Sequence, residues 1–239
     1  MDDLVSTQTS HSYSINGTPI DLMIPPGVFV PSAYTLSLAG HIRVNANESV
    51  ADIGTGSGIL AILAAKRGGK VTATDIDHLA VAAARRNGEL NQVTADIRQG
   101  DLFADLSKPL DVIIANLPQA LIEPRILASL DPHLKTAIDG GPGGNAVLRR
   151  FLQASRRHMH GGTRIYVSVD TETNYRDSFS QMIAEYNVRL LGVHEHALHD
   201  AIDDTADTYR RLSETGQACV FRQDGRLHGL QFVVEITAK

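Results

Sequence analysis

The sequence predicts an α/β fold in which a mostly parallel sheet carries helices on both faces. Three observations carry this reading. Short apolar or β-branched runs alternate with helix-compatible segments from Val50 to about Glu185, the pattern of repeated strand–helix–strand crossovers. The run Leu110-Asp-Val-Ile-Ile-Ala115 is apolar at all but one position, as expected of a strand buried on both faces. The stretch Val50-Ala-Asp-Ile-Gly-Thr-Gly-Ser-Gly58 reads as a strand that stops at Asp52, a glycine turn, and a helix from about Ile59. Glycines allow positive φ and close approach of a ligand to the main chain. The helix start then points free N–H groups and a positive dipole end at that ligand.

The remaining elements follow in order. The first ~25 residues read as a β-hairpin or loose arm turning at Asn16-Gly17, a dipeptide suited to two left-handed positions. Met23-Ile-Pro-Pro-Gly27 leads into a helix capped near Ser32. We read residues 1–45 as an N-terminal arm and covering segment, and 46–239 as the main domain. Its first helix ends at Gly68-Gly69, and Lys70-Val-Thr-Ala-Thr-Asp-Ile76 is the second strand. Asp77 caps a helix from His78 that ends near Asn87-Gly88 or shortly after. Asp96 to Gln99 is the third strand, Leu110 to Ala115 the fourth, Gly161 to Val169 the fifth, and Asn187 to Val193 begins the sixth. From Cys219 to Ile236 the chain reads as paired strands around Asp224-Gly225. The polar, acidic stretch between them, placed at 197–217, reads as a helical lid.

The glycine spacing points to the ligand. A dinucleotide fingerprint needs a third glycine where this chain has the bulky Ile59. The spacing present, D-x-G-x-G-x-G from Asp52 to Gly58, resembles the first motif of class I S-adenosylmethionine (SAM) methyltransferases. Asp75 ends the second strand twenty-one residues after Gly54, where a carboxylate accepts both ribose hydroxyls. Gly100-Asp-Leu-Phe103 closes the third strand: Asp101 is placed to accept from an adenine amino group, and Leu102 or Phe103 to cover the ring. The carboxyl ends of these parallel strands form one crevice. The expected cofactor residues are Thr35, Asp52, Gly54, Thr55, Gly56, Gly58, Asp75, Ile76, Asp101, Leu102, Phe103 and Asn116.

The fourth strand exits through Asn116-Leu-Pro-Gln119. Here the chain resembles the HemK-type methyltransferases, which methylate glutamine amides, and their relatives acting on adenine amino groups. Those enzymes carry N-P-P-Y or D-P-P-Y at this place. Thr74-Asp-Ile-Asp77, Gly100-Asp-Leu-Phe103, Asp139-Gly-Gly141 and Pro31-Ser-Ala-Tyr-Thr35 sit in the order of that family, over roughly residues 25 to 170. The resemblance implies a Rossmann-like, seven-stranded sheet with an antiparallel C-terminal strand. It implies SAM as cofactor, S-adenosylhomocysteine as product, and no metal. It makes Asn116, Leu117, Pro118 and Gln119 the catalytic segment: the Asn116 side chain binds the acceptor amino group, and a carbonyl near Leu117 takes a second N–H. Two residues depart from the pattern. Leu117 replaces a proline, and Gln119 replaces the aromatic that packs on a planar target, a contact worth ~1 kcal/mol. The acceptor is therefore expected to differ, with Tyr34 and Gln119 contacting it.

The chemistry expected is N-methylation. Drawing off both N–H groups of an amide or arylamine localises its lone pair and receives the developing charge, whereas oxygen acceptors usually want a positioned base. A small molecule or short peptide is the first expectation for the acceptor, since HemK-type release-factor enzymes carry a helical domain before the core and ~25 residues cannot form one. The alternatives are a protein-glutamine methyltransferase working with a partner subunit, and a SAM-binding protein without catalysis. A net charge of −5 and a pI near 6.0 disfavour nucleic acid. From the lone Cys219, the acidic start Met1-Asp-Asp3, unlike a signal peptide, and the lack of a long apolar run, a cytoplasmic protein off the membrane is expected. His194, His196, His199 and Asp200 alternate as metal ligands sometimes do, but match no established spacing and read as exposed edge-strand residues. His158 and His160 read no differently. Arg149, Arg150, Arg156 and Arg157 share a helix face and read as solvated, with an anionic substrate as the rival reading.

Overall fold

The structure is a computed structural model describing residues 8–106, 109–121, 127–198 and 206–239. A hairpin opens the chain, β1 (Thr9–Ile15) and β2 (Thr18–Ile24). Its turn takes Asn16 at φ 50° and Gly17 at φ 80°, the left-handed pair that matches the twist of the two strands. Then come α1 (Ala33–His41), β3 (Ser49–Ile53), α2 (Ile59–Lys66), β4 (Lys70–Asp75), α3 (His78–Leu90), β5 (Ala95–Gln99) and β6 (Val112–Ala115). They are followed by α4 (Pro132–Ile138), α5 (Ala146–Ser155), β7 (Arg164–Asp170), α6 (Tyr175–Glu185), β8 (Tyr186–Ala197), α7 (Ala206–Glu214), β9 (Val220–Gln223) and β10 (Arg226–Ala238).

The main sheet runs β5-β4-β3-β6-β7-β10-β8. Neighbours from β5 to β7 are parallel, and β10 is antiparallel to both β7 and β8. This is the expected sheet with its antiparallel C-terminal strand. The short β9 pairs with β10 outside that path as an eighth strand. β6 starts at Val112, two residues later than the apolar run implies. Along it, Val112 and Ile114 belong to the apolar cluster on one face of the sheet, and Ile113 and Ala115 to the cluster on the other. This is the two-residue alternation of a strand covered on both sides.

α2 explains the hairpin. Every residue from Ile59 to Ala64 is buried, and a helix that is apolar all round needs cover on both sides. The sheet covers one side. Ile20, Leu22 and Ile24 of β2 join the same apolar cluster from the other, so the N-terminal segment is core and not a loose arm. The hairpin is pinned to α3 by Asn87, which is fully buried. Its Nδ2 donates to the Ser57 carbonyl at 2.9 Å, and its Oδ1 accepts from the Met23 N–H at 2.8 Å. Asn87→Ala leaves both groups short of a partner, at ~1–3 kcal/mol per buried unsatisfied group. We expect a loss of about 2–3 kcal/mol in urea unfolding, with the far-ultraviolet spectrum unchanged.

α7 forms within the stretch read as a lid. Tyr209 on it is fully buried and clusters with Leu198, Ala218 and Leu227, so this helix is anchored to the C-terminal end of the sheet. Residues 199–205, with His199 and Asp200, lie outside the described residues. Among the described residues no helix is long and apolar enough to cross a membrane.

Candidate active site

The carboxyl ends of β3, β4, β5 and β6 open into a cavity of about 360 Å³, in the ~300–1,000 Å³ range of small-molecule sites. The glycine loop forms its floor. Gly54 and Gly56 take φ 73° and 54°, values that L side chains rarely adopt. The Gly54 and Thr55 N–H groups donate to the Thr74 carbonyl at 2.8 and 3.0 Å, which ties the loop to β4. A Cβ built on Gly56 meets no protein atom within 4 Å, and Gly56 lines the cavity. Its N–H donates to Asp75 Oδ2 at 2.8 Å, while Oδ1 accepts from the Asp77 N–H at 2.9 Å. These bonds orient the Asp75 carboxylate, and burial, opposed by them, pushes its pKa up. Beside it Ile76 lines the cavity while 55% exposed. Leu102 lines it too, held in a left-handed conformation at φ 51°, with its carbonyl accepting from Thr74 Oγ1 at 2.6 Å.

At the other end Thr35, Asn116, Leu117 and Pro118 line the wall. Asn116 Nδ2 donates to Thr35 Oγ1 at 3.0 Å. That bond occupies the NH₂ end of the amide and leaves its carbonyl oxygen as the available acceptor.

Five expected site residues stand away from the cavity lining, each for a visible reason. Asp52 is fully buried, accepts from Thr55 Oγ1 at 2.6 Å, and is pushed up to about 7 by burial; it braces the loop from behind. Gly58 caps α2 at φ 89°, and a Cβ there would sit 3.0 Å from Ala84 Cα, so it serves the close approach of α2 to α3. The Phe103 ring stacks in the core on His158, at 4.5 Å between centroids, leaving Leu102 alone toward the cavity. Gln119 is buried: its Nε2 donates to the Ser168 carbonyl at 3.0 Å and its Oε1 accepts from the Asp170 N–H at 3.2 Å. It joins the exit of β6 to the end of β7 and presents no platform to a planar acceptor. Tyr34 packs on His196, with centroids 4.2 Å apart, and does not take the place of the missing aromatic in the cavity.

The cavity also contains residues the sequence reading passed over. Val28, Phe29 and Pro31 cover one side, and α4 contributes His133, Lys135 and Thr136. Asp77 caps α3 as expected, accepting from the Leu79 N–H, and His133 Nδ1 lies 3.0 Å from its carboxylate. Asp77, His78 and His133 have ligand-type atoms within 4.8 Å of one another, although Asp77 is already engaged by the helix cap. Arg150, expected on a solvated face or toward an anionic substrate, lines the cavity and meets Asp101 at 2.5 Å. Arg156, from the same face, pairs with Glu185 at 3.6 Å. His194 and His196 are half-buried under α1 rather than exposed, and His194 Nε2 lies 3.0 Å from His41 Nε2. His160 Nε2 lies 3.0 Å from Asp111 Oδ1.

Comparison with known proteins agrees with this architecture. The profile of the ribosomal protein L11 methyltransferase (PrmA) family matches residues 35–149. A putative protein N5-glutamine methyltransferase of Methanocaldococcus jannaschii is 29% identical over 167 residues, 68% of this chain and 82% of that protein. The ribosomal protein L11 methyltransferase of Thermus thermophilus is 36% identical over 145 residues, 57% of this chain and 54% of that protein. Among solved structures, a 16S rRNA methyltransferase of T. thermophilus in complex with AdoMet and guanosine superposes with a TM-score of 0.65 at 16% identity. That superposition covers 98% of this chain and 51% of that one, and it shows the shared fold. The chain thus spans about half the length of several of the proteins it matches. It is a class I SAM-dependent methyltransferase. Within that class it is related to the HemK-type protein N5-glutamine methyltransferases.

Proposed function

We propose that the cavity binds SAM and that the chain transfers its methyl group to an amide or amine nitrogen of a small molecule or short peptide. The observation that carries this reading is Asn116, whose side-chain NH₂ is held by Thr35 while its carbonyl oxygen stays available at the cavity wall. The residues present fit the cofactor. Asp75, oriented by two backbone N–H groups, would accept from the ribose hydroxyls; Ile76 and Leu102 would cover the adenine faces, and Asp101 would take the amino group. Gly54 and Gly56 would let the cofactor lie on the main chain. When bound, SAM supplies an electrophilic methyl group and carries its own sulfonium leaving group.

The protein's part is alignment and charge. Asn116 Oδ1 accepts one N–H of the acceptor, and a carbonyl near Leu117 takes the second. Together they hold the nitrogen lone pair toward the methyl group and stabilise the positive charge that develops on nitrogen. Val28, Phe29 and Pro31 lie over the same cavity and would exclude water from it. The excess of acidic side chains argues against a nucleic-acid acceptor. A second reading, methylation of a protein glutamine with the help of a partner subunit, is favoured by the M. jannaschii relative, of which the chain covers 82%. Transfer from methyl-labelled SAM to a panel of small amines and amides, run beside intact release factors, separates the two. Label on the small acceptors supports the first reading. Label confined to protein glutamine sinks it.

A further inference from the structure

A second polar cluster is buried beneath α1. In the register of the sheet, His194 on β8, Gln231 on β10 and Asp170 on β7 stand side by side, so their side chains leave the same face of the pleat. The Gln231 Nε2 donates to the Tyr34 carbonyl of α1 at 3.2 Å. Glu172, two residues past Asp170, adds a second carboxylate, with Tyr34 and Tyr209 as its charge neighbours. Gly229 makes room for it: a Cβ there would sit 2.7 Å from Glu172 Oε2. Asp170, Glu172 and Gln231 are 8%, 7% and 0% exposed.

The hydrogen-bond inventory of this cluster is one-sided. Asp170 Oδ1, Glu172 Oε2 and Gln231 Oε1 are buried without a close hydrogen-bond partner, as are the hydroxyls of Ser168 and Tyr34; the weaker contacts open to them run from Tyr34 to Glu172 and from Gln231 to Asp170 and His196. The first three atoms only accept, unless a carboxyl is protonated, and the hydroxyls do either. Unpaired buried acceptors are costly, and two carboxylates buried side by side more so. Among the described residues no Lys or Arg side chain acts on either carboxylate. What would satisfy such a set is a donor-rich cation. Among the described residues only the group at Asp77, His78 and His133 gathers three metal-type ligands, so this cluster is not a ready metal cage. None of its residues lines the cavity, but it is tied through neighbouring residues to the Asn116 end. Tyr34 precedes Thr35, which holds Asn116, and Gln119 of the Asn116 segment bonds to the Ser168 carbonyl and the Asp170 N–H.

We infer that Asp170, Glu172 and Gln231 form a subsite that recognises a cationic nitrogen group of the methyl acceptor, a primary ammonium or a guanidinium. The inference rests on the nitrogen-methyltransferase reading above and narrows its acceptor class. Without such a ligand the carboxyl pair is held toward its neutral form: burial pushes both groups up, Glu172 to about 7, and Glu172 further raises Asp170. Ionising Glu172 in the folded chain therefore lowers stability as pH rises from its unfolded range toward 7. The groups facing it are Asp170, Tyr34 and Tyr209, with His196 beyond Gln231.

The test is calorimetric titration of n-butylammonium, n-butylguanidinium and the neutral 1-butanol into the full chain saturated with S-adenosylhomocysteine. The cationic probes bind and release protons into the buffer, and the alcohol does not bind. Asp170→Asn and Glu172→Gln each weaken the cations at least tenfold while SAM binds as in wild type. Equal binding of the alcohol, unchanged binding by both variants, no binding of either cation, or Mg²⁺ or Zn²⁺ binding that the variants abolish would each overturn the assignment. Failure of SAM itself to bind marks the cofactor reading, not the subsite, as wrong. Thermal melting gives an independent check. Ligand-free Glu172→Gln melts above wild type at pH 8 and loses most of that advantage at pH 5; no advantage at pH 8 means that the protein itself already compensates the pair.

Discussion

Asn116→Ala binds SAM as wild type does and loses methyl transfer by roughly 10²–10³-fold, the scale observed when one group that stabilises developing charge is removed. The split follows from position. Asn116 sits at the exit of β6, on the wall of the cavity, and its hydrogen bond runs to Thr35 rather than into the glycine loop. Removing it takes away the acceptor for the substrate N–H but leaves Asp75, Gly56 and their bonds in place. Single-turnover transfer from labelled SAM, beside an equilibrium titration of the same preparation, reads the two effects separately. Loss of SAM affinity equal to the loss of rate would make Asn116 a cofactor residue only.

Gly56→Val acts in the opposite sense and abolishes cofactor binding, by at least 100-fold. At φ 54° the valine is strained, at a cost of ~1–2 kcal/mol, which a domain of this size survives. Its Cβ meets no protein atom within 4 Å. The cavity is where it projects. The variant is therefore expected to fold, to melt a few degrees lower, and to ignore SAM. Gly58→Val differs: its Cβ would meet Ala84 Cα at 3.0 Å, so the damage there is to the packing of α2 on α3.

The parts of this site that were legible in the sequence are those set by local spacing. Strand ends place Gly54, Gly56, Asp75, Asp101 and Asn116 within a few residues of a recognisable turn, and all five line the cavity. Side-chain direction at such turns was not legible. Leu102 and Phe103 are adjacent, yet the left-handed backbone at Leu102 keeps one at the cavity while the other stacks in the core. Gln119 reads as a substrate contact until its amide is seen to hold β7. Long-range contributors were hidden for a related reason. Arg150 reaches Asp101 across 49 positions, and nothing in the helix pattern of α5 distinguishes it from its exposed neighbours. The cluster beneath α1 depends on the register of β7, β10 and β8, in which Gln231 stands opposite Asp170 and His194. One residue of slippage would turn each of those side chains to the other face, and no sequence pattern specifies that pairing. The opening residues read as a hairpin or a loose arm; that a hairpin forms and completes the core follows from α2 being apolar all round.

Titration of SAM and S-adenosylhomocysteine into the wild-type chain and Asp75→Ala reads the cofactor site itself. Asp75 is the cavity-lining carboxylate that the glycine loop orients, through the Gly56 N–H at 2.8 Å. Wild type binds both ligands with micromolar affinity, and Asp75→Ala, still folded, loses at least tenfold as the charge-assisted bonds to the ribose hydroxyls disappear, ~1.5–3 kcal/mol for such bonds. Equal affinity in the two proteins would contradict the placement of the cofactor in this cavity.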